Sequence, residues 1–224
     1  MKIAIIGGGV IGGGWASRFL LNGHDVFVFD PDKEAEKKMF SMLSNAKRSL
    51  PSLYDYKLPK EGKLVFCSNL LEAVKDAEWI QESVPERLDI KISVFSEIQK
   101  SCKKNAIIAS STSGFKPSEL NESSSRPEQI LVCHPFNPVY LLPLVEVVPS
   151  KKTEEIIKNK CINILNLIGM KPLLIRKEID AHIADRLIEA IWRESLWLVH
   201  DDIATTSEVD DAMRYAMGLR YAMM

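Results

Sequence analysis

Apolar positions along the chain fall into two rhythms. Short, nearly unbroken apolar runs at Lys2–Ile6, Val26–Phe29, Lys63–Cys67, Trp79–Glu82, Ala106–Ala109, Gln129–Cys133, Leu144–Val148 and Pro172–Ile175 read as buried strands. Between them the spacing changes to that of helices. These are predicted up to Leu21, where Asn22-Gly23 stops the first, then over Pro31–Ser49, Leu70–Val74, Leu88–Ser101, Pro117–Leu120 and Thr153–Leu167. In the second of them Met39, Phe40, Met42 and Leu43 are expected to face inward. Strand alternating with helix specifies an α/β fold, a doubly wound and mostly parallel sheet.

Around Glu178–Ala181 the pattern turns to helix alone. His182–His200 carries Ile183, Leu187, Ile191, Trp192, Leu196, Trp197 and Leu198 over most of its surface, so it is expected to be largely buried. Thr205 and Glu208 form a capping box that starts another helix, and Gly218 is expected to end it. The organisation predicted is a unit over residues 1–178 followed by the start of a smaller all-helical unit over 179–224. Two helices leave apolar faces uncovered. The expectation is therefore that the second unit is incomplete, and that further chain or a partner covers it.

The first thirty residues change this picture from fold to chemistry. The first strand runs into Gly7-Gly8-Gly9-Val10-Ile11-Gly12, which fits G-x-G-x-x-G at Gly7, Gly9 and Gly12. Gly7 permits the tight turn, Gly9 lets the backbone approach a pyrophosphate, and Gly12 lets the helix pack on its strand; Val10 and Ile11 open the helix whose free N–H groups face the phosphates. Asp30 ends the second strand eighteen residues after Gly12, where a carboxylate accepts hydrogen bonds from ribose hydroxyls. Asp30 and Asp32 would repel a 2′-phosphate. The arrangement is that of a Rossmann-type site for NAD.

Charge and cysteine usage narrow the partners. With 29 basic and 30 acidic residues, no basic footprint for nucleic acid or an anionic membrane exists. Cys67, Cys102, Cys133 and Cys161 form no C-x-x-C pair and read as reduced core thiols, so no metal site is expected. The opening strand has no signal-peptide character and no apolar run is long enough to span a bilayer, which points to the cytoplasm.

Polar residues at strand ends supply candidate chemistry. Glu82, Ser113 and His134 fall at or just past the carboxyl ends of predicted strands, the edge at which open sheets bind ligands. His134 can take a hydroxyl proton while hydride leaves the same carbon for the nicotinamide. Its expected partner is Glu146, the only acid between Val139 and Pro149, because a buried carboxylate requires a hydrogen-bonding partner. Ser113 can bond the substrate oxygen. A dinucleotide-binding protein without catalysis is the alternative from another class, and the set of His134, Glu146 and Ser113 argues against it.

The run His134-Pro-Phe-Asn-Pro-Val-Tyr-Leu-Leu-Pro-Leu-Val-Glu146 resembles the 3-hydroxyacyl-CoA dehydrogenase superfamily, and Ala184-Asp-Arg-Leu187, Trp192-Arg-Glu194 and Gly218-Leu-Arg-Tyr221 look like its carnitine 3-dehydrogenase branch. The resemblance implies NAD-dependent oxidation of the 3-hydroxyl of L-carnitine to 3-dehydrocarnitine, by a homodimer joined through its helical domain. It also implies that His134 is the base and Glu146 its partner, that Ser113 and Asn137 are active-site polar groups, and that Glu86 and Lys91 belong to the cofactor site. Acyl-CoA enzymes carry asparagine where this chain has Asp185. For a trimethylammonium substrate, Tyr140, Trp192, Trp197, Asp185 and Glu189 could supply aromatic faces and carboxylates. For an acyl-CoA, the alternative substrate beside another small 3-hydroxy acid, Lys57, Lys60 and Lys63 could meet the CoA phosphates, although a solvated loop explains them equally well.

Overall fold

A computed structural model describes residues 1–223 and resolves them into two compact units, Met1–His182 and Ile183 onward. In the first, eight strands form one sheet: β1 (Lys2–Ile6), β2 (Asp25–Phe29), β3 (Leu64–Phe66), β4 (Trp79–Glu82), β5 (Ile107–Ser110), β6 (Ile130–Pro135), β7 (Leu144–Pro149) and β8 (Lys171–Leu174). Their spatial order is β3-β2-β1-β4-β5-β6-β7-β8. The pairs from β3 across to β6 are parallel, β7 runs antiparallel to β6, and β8 is parallel to β7. The order reverses at β1, between the crossovers to β2 and to β4, and this is the switch point at which such sheets bind ligands.

Each strand reads as a continuous apolar run because both faces of the sheet are covered. Ile3 and Ile5 of β1 join a core with Trp15, Phe19, Met39, Trp79, Cys161 and Leu165, whereas Ala4 and Ile6 join a second core with Val74, Ile80, Phe95 and Leu120 on the other face. The first core is closed by α1 (Val10–Leu21), α2 (Ala35–Ser49) and α6 (Glu155–Leu167); the second is closed by α3 (Leu70–Val74), α4 (Leu88–Ser101) and α5 (Pro117–Leu120). In α2, Met39 and Leu43 are buried, but Phe40 is half exposed and lies beside Phe66. The four thiols are free, and those of Cys133 and Cys161 stand 3.4 Å apart in the core, where burial raises the pKa of Cys133 well above the usual thiol range.

In the second unit, α7 (Ala184–His200) leads through the Thr205–Glu208 capping box into α8 (Thr206–Ala212). Two readings from the sequence are corrected. The long helix is not largely buried: no residue of α7 is buried, and Leu187, Trp192, Leu196 and Trp197 are each more than half exposed. An amphipathic pattern states which face needs cover and does not supply it. Nor does Gly218 end the last helix; after a π turn at Met213–Met217 it sits at φ −61° and opens α9 (Gly218–Ala222). A glycine stops a helix where the chain must turn left-handed, and here it does not. Among the described residues no helix is long and apolar enough to cross a membrane.

Candidate active site

The glycine turn between β1 and α1 is built as its sequence demands. Gly7 has φ +96°, and a Cβ there would lie 2.5 Å from the Ser83 carbonyl oxygen at the end of β4. A Cβ on Gly12 would collide with the carbonyl oxygen of Gly7, so α1 packs against the turn only without one. At Gly9 a Cβ would meet nothing, which leaves the backbone open to a ligand at the N-terminus of α1. Val10 is exposed there and Ile11 half-buried. Asp30 is fixed at the end of β2: one carboxylate oxygen accepts the Gly8 N–H at 2.5 Å and the other the Asp32 N–H at 2.7 Å. Gly7, Gly9, Gly12 and Asp30 thus surround one open backbone surface that fits a dinucleotide.

Next to this turn, β4 ends in a buried charge network. Lys91, on α4, donates to Glu82 at 2.8 Å and to the Val84 carbonyl at 3.3 Å, and it pairs with Glu86 at 3.1 Å. Ser110 donates to the other oxygen of Glu82 at 2.5 Å. Glu82 and Lys91 are both buried, and desolvation raises the pKa of Glu82 against the opposing pull of Lys91. Glu86 is half exposed. Its desolvation is outweighed by the Thr112 hydroxyl and Lys91, which hold its carboxyl below the usual range. Glu86 also accepts the N–H groups of Ser113 and Gly114, each at 3.2 Å. Ser113 is therefore held by its backbone while its side chain is exposed at the rim.

Further along the same edge, β6 continues two residues beyond its apolar run and carries His134 within the strand. Antiparallel pairing sets His134 directly opposite Glu146 on β7. Both are buried, and His134 Nδ1 lies 2.9 Å from Glu146 Oε2. When Glu146 is ionised its carboxylate can only accept, and in a neutral ring the hydrogen then lies on Nδ1 and the lone pair on Nε2. Phe136 meets the His134 ring edge-on at 4.9 Å. The following loop exposes Asn137 and turns back onto α1, where Val139 packs over Gly14 so closely that a Cβ there would lie 2.8 Å from it. Tyr140 is half-buried, with its carbonyl 3.4 Å from the Arg18 guanidinium.

Three proposed substrate residues, Asp185, Glu189 and Trp192, belong to the second unit. Their spacing of four and three residues puts them on one stripe of α7. One residue of the first unit was missed. His182, read from the sequence as the first residue of a helix, precedes α7 and is fully buried. Its ring centroid is 5.4 Å from that of His134. A lone histidine at a change of pattern carries no periodic signal, and only its neighbours in space disclose it.

Residues 2–179 match the family model described as 3-hydroxyacyl-CoA dehydrogenase, NAD binding domain, and residues 182–224 match the C-terminal domain of the same family. The chain belongs to the 3-hydroxyacyl-CoA dehydrogenase family. Among its relatives in that family, the L-carnitine dehydrogenase/betainyl-CoA thioesterase of Ruegeria pomeroyi is 62% identical over 221 residues, which are 99% of this chain and 45% of that protein. The L-carnitine dehydrogenase of Mesorhizobium japonicum is 53% identical over 224 residues, 100% of this chain and 62% of that one. The chain thus spans about half the length of the curated relatives it matches, from 45% to 62% for these two. A crystal structure of a 5-formyl-3-hydroxy-2-methylpyridine 4-carboxylic acid 5-dehydrogenase, an NAD+ dependent dismutase, superposes with a TM-score of 0.91 at 29% identity, covering 98% of this chain and 72% of that one.

Proposed function

We propose that the chain carries the catalytic NAD domain of an enzyme that oxidises the 3-hydroxyl of L-carnitine to 3-dehydrocarnitine. The observation that carries the chemistry is the buried His134–Glu146 pair, set by strand register at the sheet edge that also bears the glycine turn. The names of the relatives, L-carnitine dehydrogenases at up to 62% identity, support the substrate.

In this reading His134 Nε2 takes the proton of the substrate hydroxyl as the C3–H bond breaks. Glu146 holds the ring in the required tautomer and stabilises the imidazolium that forms. Ser113 and Asn137 orient the substrate oxygen. Gly7, Gly9, Val10, Ile11 and Gly12 would hold the pyrophosphate of NAD, Asp30 its adenosine ribose, and Glu86 with Lys91 would border its nicotinamide end; bound there, the cofactor would supply the acceptor for the hydride that leaves C3. Tyr140, Asp185, Glu189 and Trp192 are our candidates for the trimethylammonium group. We further place the protein in the cytoplasm as a homodimer, a state favoured by the exposed apolar side chains of α7.

The test is NADH formation with L-carnitine and 3-hydroxybutyryl-CoA in parallel. Turnover on carnitine alone is expected; turnover on the acyl-CoA alone would move the assignment to the acyl-CoA substrate. NADH binding without turnover on any 3-hydroxy compound would favour a non-catalytic dinucleotide-binding protein.

A further inference from the structure

His182 stands between the two halves of the candidate site. Its Nε2 lies 3.3 Å from the carbonyl oxygen of Thr112, and its ring is tilted at 51° to that of His134. A carbonyl oxygen only accepts, so Nε2 carries the hydrogen. The backbone that delivers this ring is costly. Ala181 and His182 are successive side-chain-bearing residues at φ 56° and 50°, in the left-handed region that L side chains rarely adopt. Such a conformation persists where the surroundings fix it, and strained residues of this kind gather at functional sites.

Thr112 is held from its other side as well, because its hydroxyl donates to Glu86, which also accepts the amides of Ser113 and Gly114. The turn carrying Ser113 is thus clamped by Glu86 from the side of the glycine turn and by His182 from the side of the base. We propose that His182 is a positioning residue: its Nε2–H holds the Thr112 carbonyl while its ring backs His134. The Ser113 hydroxyl and the His134 base are thereby kept at the separation needed to meet one substrate oxygen. This inference rests on the reading of His134 as the base.

Two variants of the full-length protein separate the hydrogen bond from mere volume. His182→Phe keeps a ring and loses the donor, whereas His182→Gln keeps an N–H donor. A misplacement of about 1 Å costs on the order of 10²-fold in rate, so His182→Phe should lower kcat on L-carnitine by roughly 10- to 100-fold, with NADH affinity within about twofold of wild type. His182→Gln should recover a large part of the loss. A kcat for His182→Phe within about twofold of wild type overturns the proposal, as do equal losses in the two variants. If the wild-type protein oxidises no 3-hydroxy substrate, the functional reading fails first, and the clamp is read from the amide resonances of Ser113 and Gly114. His182→Phe must then shift them and His182→Gln return them toward wild type; resonances that do not move overturn the clamp.

Discussion

The sheet of the first unit and helix α7 of the second are both rich in large apolar residues, yet they dispose of them in opposite ways. Ile3, Ile5, Trp79, Ile80, Ile107, Ile108, Leu131 and Val132 are wholly buried between helices on two faces, whereas α7 has no buried residue along its seventeen positions. The difference lies in how cover is provided. A doubly wound sheet brings its own helices, since every crossover lays one across a face. A helix with an apolar stripe depends on an element from elsewhere. The candidate site groups follow the same division: the glycine turn, the Lys91 network and the His134–Glu146 pair lie in the covered first unit, while the proposed substrate residues Asp185, Glu189 and Trp192 lie on α7.

Three substitutions test that contrast. Trp79→Ala, in the middle of the sheet and fully buried, should destabilise the chain by about 3–5 kcal/mol in urea unfolding, as large-to-small changes in a packed core do. Lys91→Met should cost about 3 kcal/mol, because it strands the buried carboxylate of Glu82 without its cation. The cost should shrink in acid, where Glu82, its pKa already raised by burial, takes up a proton most readily. Leu196→Ser on α7 should change the stability of the dissociated monomer by less than about 0.5 kcal/mol, as surface substitutions do, and weaken the homodimer proposed above. A loss above about 2 kcal/mol in the dissociated monomer would show that the chain itself covers α7 and would break the comparison.

What was legible in the sequence follows the same line. The apolar runs locate all eight strands, because burial on both faces leaves little room for polar residues. The glycine turn with Asp30 was readable because each position meets a steric or electrostatic demand that few other residues satisfy. The pairing of His134 with Glu146 could be anticipated from one isolated acid, but their direct opposition belongs to the β6–β7 register, which no local pattern encodes. Strand β6 was read as ending at Cys133 because apolarity ends there, while the ladder to β7 continues through Pro135. The exposure of α7, the helical conformation of Gly218 and the burial of His182 were illegible for one reason: each depends on what lies next to the residue in space.

The central claim is that His134 is a catalytic base held by Glu146 beside a cofactor site that is independent of it. The most direct measurement is NADH formation from L-carnitine by wild type and His134→Ala, with NADH affinity determined on both. The account predicts a fall in kcat of about 10²- to 10⁴-fold, the range that general base catalysis contributes, at unchanged NADH affinity. A His134→Ala protein that keeps most of its turnover, or loses turnover and NADH binding together, would contradict it.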